Sequence, residues 1–115
     1  MKPDKPSDKE RLEHILHAVE LIQSFTVTQS RQDFLSDEKT ISACLFQYTI
    51  IAEAIVNVDP FILARYDYPW NKVKSFRNLI LHEHHAIEMR VIWDTTTEIL
   101  PELKKLIIAI LNNEF

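Results

Sequence analysis

Apolar residues recur three and four positions apart along four stretches of the chain, the spacing that places them on one face of an α-helix. The first predicted helix runs from Asp8 to about Gln23, and Ser7 and Glu10 form a capping box at its start. The second runs from Asp37 to about Val58 and is expected to be the most buried element. The third covers residues 70–83, and the fourth occupies the C-terminal part of the chain.

The segments between these helices are short and contain helix-ending residues. Residues 26–36 predict a connector with one short helical turn, residues 61–68 predict a short helix or turn, and Pro101 should kink or divide the last helix. The polar residues 1–7 predict a flexible tail. The pattern therefore predicts an all-α fold, in which residues 8–115 form one domain, an antiparallel bundle of four main helices with short extra helices.

The composition excludes several classes of protein. The 115 residues include no glycine, which removes the glycine-rich phosphate loops of nucleotide-binding proteins, and we expect no cofactor. Cys44 is the only cysteine, so no internal disulfide can form, and its apolar neighbours predict a buried, inert thiol. No apolar run approaches the roughly 20 residues that cross a bilayer, and the first residues lack a signal-peptide core. We therefore expect a cytoplasmic protein without a membrane partner.

The formal net charge of −4 is unfavourable for a protein that holds polyanionic RNA. The charge is unevenly distributed, however. Between Arg65 and Arg90 there are five basic and three acidic residues, a net +2, whereas the rest of the chain carries −6. A local basic region therefore surrounds the most chemically equipped stretch of the sequence, residues 75–85.

That stretch contains three side chains suited to phosphodiester chemistry. Arg77 has a planar guanidinium that matches phosphate oxygens, Asn78 has an amide, and His82 can take up or release a proton near neutral pH. On a helix Asn78 and His82 share a face, whereas Arg77 lies about 140° around from His82. Arg77 must therefore reach around the helix or act on a partner chain.

The pattern Arg-Asn, three residues, His-Glu, over residues 77–83, resembles the signature of HEPN-domain ribonucleases and is most similar to their HepT-like branch. Residues 51–54 are similar to the family's Ile-Gly-Glu-Ala segment, and residues 91–95 and 100–103 extend the similarity downstream. The resemblance spans about residues 8–110. It implies the HEPN fold, a homodimer with two-fold symmetry, and a ribonuclease that works without a metal.

RNA can be cleaved by its own 2′-hydroxyl if a base removes that proton, an acid protonates the leaving oxygen and cations stabilise the transition state. We assign His82 to the acid–base work and Arg77 to the phosphate, with Asn78 orienting one of them. Lys74 is a candidate substrate contact on the polar face of the helix. Because one chain offers one such histidine, a two-fold dimer would complete the site.

The resemblance also implies a toxin of a toxin–antitoxin pair. It would cleave cellular RNA, transfer RNA being one candidate target, and its antitoxin would be a minimal nucleotidyltransferase. In the family a tyrosine accepts AMP from this partner, but His84 occupies that position here. His84 is a second candidate substrate contact. The alternative is a noncatalytic HEPN module that pairs with a nucleotidyltransferase or binds nucleotides.

Glu53 and the histidines allow more than one interpretation. Glu53 lies among apolar residues, so it either pairs with Arg77 or faces solvent. His14 and His17 have a spacing that permits shared metal ligation, but no third ligand follows. The segment that begins at His82 departs from the zinc-binding His-Glu-x-x-His pattern because Ala86 takes the last position. We therefore predict no metal site.

Overall fold

The computed structural model describes residues 5–82 and 88–115, and every regular element in these ranges is helical. This confirms the predicted all-α class. In chain order the elements are α1 (Asp8–Thr26), α2 (Arg31–Leu35), α3 (Glu38–Asn57), α4 (Pro60–Leu63), α5 (Trp70–His82), α6 (Met89–Asp94), a π-helical turn (Thr95–Ile99) and α7 (Leu100–Glu114).

Side-chain caps set where the first helices begin. The predicted capping box is present, since the Ser7 hydroxyl accepts from the Glu10 amide and the Glu10 carboxylate accepts from the Ser7 amide, each at 3.1 Å. Asp37 caps α3 by accepting from the Thr40 amide. Helix α1 extends beyond the predicted end to Thr26, whose buried hydroxyl donates to the Ile22 carbonyl at 2.9 Å.

Helix α3 is central to the packing of the described residues. It contacts α1 and α5, α1 also contacts α7, and α2 packs on α3 and α6. The expectation that α3 would be the most buried element is only partly met, because α1 and α3 each bury six residues. Phe46 on α3 is 63% exposed. The antiparallel four-helix arrangement stays a prediction.

Helix α3 is also long and apolar enough to cross a membrane, by length and composition alone. The expectation that the chain holds no such segment is therefore not met by this criterion. A core helix of a soluble protein satisfies the same criterion, because it too buries its apolar side chains. In this fold α3 packs against α1 and α5.

The last predicted helix is divided, as Pro101 led us to expect. Pro101 has no amide hydrogen, and a proline ring in a helix clashes with the carbonyl four residues earlier. The chain responds with a π-helical turn just before it, in which the Leu100 amide donates to the Thr95 carbonyl, five residues back. Thr96 in this turn is buried, and its hydroxyl forms a 2.6 Å hydrogen bond with that of Tyr48 on α3.

Cys44 is completely buried in the core, as predicted from its neighbours. Burial raises the pKa of the Cys44 thiol to about 11, and the charge of Asp37 adds to the rise. The thiolate is the reactive form, so we expect the native protein at neutral pH to react with iodoacetamide on the order of 100-fold more slowly than an unfolded control. Mass spectrometry of timed samples, with and without urea, would measure both rates. Equal rates would contradict this assignment.

Candidate functional site

An ion pair between α5 and α3 fixes Arg77. Its Nε donates to Oε1 of Glu53 at 2.8 Å, and its terminal Nη2 lies 2.7 Å from the same oxygen. The alternative placed Glu53 on the solvent face beside Asn57, but the Asn57 amide donates to the Glu53 backbone carbonyl instead. Of the two alternatives left open for Glu53, the structure shows the pairing with Arg77.

This pair leaves the guanidinium usable. The side chains of Arg77 and Glu53 are 31% and 43% exposed, so the arginine is anchored at one edge and still reaches solvent. A half-exposed pair contributes little to stability, because water screens the charges. Its clearer physical effect is on orientation, since holding Nε and Nη2 on one carboxylate oxygen limits the rotation of a long side chain.

Asn78 and His82 line one open groove of about 580 Å³ on α5, as their four-residue spacing predicted. Ser75 and Lys72 contribute further polar groups, and Phe76 and Leu79 contribute apolar surface. His82 is exposed and is the last residue of α5. An imidazole in this position can approach a bound molecule without any change in the core.

Arg77 does not line this groove; it faces α3. The helix explains the separation, because five residues of helix turn the side chain of His82 about 140° away from that of Arg77. Within one described chain the guanidinium and the imidazole therefore do not meet in a single cavity. A site that uses both on one phosphate needs the reach of the arginine or a second protein chain.

The predicted contact Lys74 lies outside the groove, and Lys72 lies inside it. On the helix Lys74 and Lys72 each lie about 80° around from His82, but on opposite sides, and Ser75 and Leu79 lie on the side of Lys72. The spacing that identifies the groove is instead 72, 75, 79 and 82, which alternates steps of three and four residues. Lys72 and Ser75 could have been found by this criterion and were missed.

The remaining predicted residues have different outcomes. His84 and His85 lie outside the described residues. His14 lines a groove between α1 and α3 together with Arg11 and Glu53. In the part of the chain that the structure describes, no three metal-ligating side chains are grouped to hold an ion.

Comparison with known proteins identifies the family to which this chain is similar. Residues 15–110 match the family model described as "Ribonuclease HepT-like". The chain is 37% identical over 101 residues to "Probable ribonuclease HepT" of Thermococcus cleftensis. The aligned region covers 87% of this chain and 92% of that protein. It is 31% identical over 104 residues to a protein of Caldanaerobacter subterraneus subsp. tengcongensis named as a candidate RNase, covering 90% of this chain and 93% of that one. No solved structure gave a significant match.

Proposed function

Because the chain belongs to the HepT-like ribonuclease family, as its motif predicted, we propose that it is a metal-independent endoribonuclease that uses Arg77 and His82. The observation that carries the proposal is the placement of these two residues on α5. Arg77 is held by Glu53 with part of its guanidinium exposed, and His82 is exposed at an open groove. The two relatives named as ribonucleases support the substrate class.

In the proposed reaction the 2′-hydroxyl of RNA attacks the adjacent phosphorus and the 5′-oxygen of the next nucleotide leaves. An imidazole takes the hydroxyl proton and a second proton donor supplies the leaving oxygen. The guanidinium of Arg77 stabilises the charge that develops on the phosphoryl oxygens. Asn78, which shares the groove with His82, orients the phosphate or the imidazole. Lys72 replaces Lys74 as the groove's own phosphate contact.

We further propose that the active unit is a two-fold dimer whose seam includes the groove face of α5. Pairing two copies of this face would bring the two His82 imidazoles to one seam, and each Arg77, which faces α3, must reach that seam around its own helix. Leu79 is a half-buried apolar residue on that face, and pairing would cover it. The dimer also supplies the second imidazole that acid–base cleavage uses.

The family resemblance supports two further proposals, a toxin role and a nucleotidyltransferase antitoxin as partner. Cellular RNA, including transfer RNA, would be the target, and both proteins would act in the cytoplasm. The tyrosine that accepts AMP in the family is replaced by His84, so no phenol ester can form at that position. Control of this chain by its partner would then depend on binding or on another modified residue.

The proposal is tested by incubating the purified protein with RNA in excess EDTA. We expect cleavage products that end in a 2′,3′-cyclic phosphate, because the 2′-hydroxyl is the nucleophile. The matched control is the same RNA with 2′-O-methyl groups, which should remain intact. Cleavage that requires added Mg²⁺, or that proceeds equally on the blocked RNA, would reject this chemistry.

Glu53 should act as a positioning residue for Arg77. The substitution Glu53→Gln removes the charge that holds the guanidinium, and we expect kcat to fall by about tenfold because a misplaced group aligns poorly with the transition state. The unfolding free energy should change by only about 0.2–1 kcal/mol, since the pair is half-exposed. Steady-state kinetics and urea denaturation measure the two quantities.

The control for this variant is Glu114→Gln, which breaks another ion pair, that with Arg65 in the turn after α4. It should have a comparable effect on stability and leave kcat unchanged. If both variants alter kcat by the same factor, Glu53 has no positioning role.

A further inference from the structure

A second cavity lies beside the groove, between α5, α3 and the π-helical turn. It has a volume of about 190 Å³ and a largely apolar lining. Three aromatic side chains contribute to its walls: Tyr48, Tyr68 and Phe76. The chemistry proposed for Arg77 and His82 does not use this cavity.

The aromatic walls are held in place by their neighbours. Tyr48 and Phe76 meet edge to face with ring centroids 5.5 Å apart, and Tyr68 stacks on Trp70 at 4.9 Å. Trp70 is itself fixed, because its indole N–H donates to the Leu63 carbonyl at 2.9 Å. The cavity therefore has preformed aromatic surfaces, which cost little conformational entropy when a flat ligand binds.

The opposite wall is formed in part by the π-helical turn, through Thr95 and Ile99. π-helical turns are rare and frequently occur at functional sites. In this turn Thr96 points inward, where its hydroxyl donates to the Ile92 carbonyl and the Tyr48 hydroxyl donates to Thr96. Tyr48 thus has its polar group engaged inside the protein, and it presents mainly ring surface to the cavity.

The cavity adjoins the groove of His82, because Lys72 and Phe76 line both. Lys72 is exposed, so its ammonium group is available to an anion at the boundary between the two spaces. A ligand that occupies both would place a negative charge near Lys72 and a flat apolar ring in the aromatic cavity. A nucleotide within an RNA strand has this combination of groups.

We propose that the aromatic cavity receives one nucleobase of the RNA substrate, adjacent to the cleaved phosphodiester, while Lys72 contacts the backbone phosphate between them. This inference rests on the proposed ribonuclease function and extends it to substrate binding. The volume is below the roughly 300 Å³ at which cavities for larger ligands begin, which suits a single base. Stacking on aromatic rings accepts every base, so binding should show weak sequence preference.

The test uses two matched variants that each add one negative charge. Ile99 lines the mouth of the cavity and is 46% exposed, whereas Ile108 lies on α7 outside this lining and is 39% exposed. The probe is a fluorescein-labelled single-stranded 2′-O-methyl RNA of mixed sequence, which cannot be cleaved through a 2′-hydroxyl. Fluorescence anisotropy gives Kd for wild type, Ile99→Glu and Ile108→Glu, and circular dichroism checks that each variant is folded.

We expect Ile99→Glu to raise Kd by between about 5-fold and about 150-fold, the range that losing one stacked base produces, and Ile108→Glu to change it less than about twofold. Lys72→Gln should weaken binding and reduce the salt dependence by about one phosphate contact. Equal Kd values for the two glutamate variants, or no binding of the probe by wild type, would overturn the proposal that the cavity binds a nucleobase. Cleavage of unmodified RNA by wild type, measured in parallel, reports on the proposed function separately.

Discussion

Replacing His82 with alanine is expected to lower RNA cleavage in EDTA by about 10²- to 10⁴-fold, the range that removal of a general acid or base produces. The side chain is exposed at the end of α5, so its loss leaves no cavity in the core. The thermal midpoint should therefore stay close to that of wild type. The effect is measured as initial rates of cleavage of a labelled RNA, with the enzyme concentration varied over several orders of magnitude.

The matched control is His17→Ala, which removes an exposed histidine from α1. It should cleave at the wild-type rate. Arg77→Ala should lower the cleavage rate by a similar factor to His82→Ala, because no guanidinium would then stabilise the negative charge on the phosphoryl oxygens in the transition state. If wild type, His82→Ala and Arg77→Ala are equally inert while all are folded, the chain is better described as a noncatalytic module that binds a nucleotidyltransferase or a nucleotide.

The sequence was most informative where a single physical rule determines the outcome. Helical periodicity predicted the long elements, and the Ser7–Glu10 box predicted the first residue of α1 because capping satisfies amides that nothing else reaches. The burial of Cys44 followed from its apolar neighbours in the same way. These features depend on contacts that are local in sequence or on the average composition of a helix face.

The features that the sequence left open depend on how separate helices pack. The pairing of Glu53 with Arg77 could be proposed from the cost of burying a lone carboxylate, but choosing it required the crossing of α3 and α5. Pro101 indicated a divided helix, but not its π-helical form, in which Thr96 is hydrogen-bonded to Tyr48 on another helix. Lys74 was predicted because four-residue spacing was extended for two turns, and Lys72, on the other side of His82, was not considered.

The proposed dimer seam on the groove face of α5 can be tested by a substitution at Ser75. This serine is exposed on the groove face of α5, and its hydroxyl donates only to the Asn71 carbonyl of its own helix at 3.0 Å. The substitution Ser75→Arg adds bulk and like charge at the proposed seam while leaving core contacts in place. The added positive charge should favour RNA, so any loss of cleavage cannot come from repulsion of the phosphates.

We expect Ser75→Arg to convert the dimer to a monomer in sedimentation analysis and to lower cleavage by at least about 10²-fold, because each chain then lacks the second imidazole. Ser24→Arg is the matched control, since Ser24 is also exposed and donates to the Leu21 carbonyl of its own helix. It should remain dimeric and active. A Ser75→Arg protein that stays dimeric would show that the groove face of α5 is not the seam. A Ser75→Arg monomer that cleaves RNA at the wild-type rate would show that one chain suffices for the reaction.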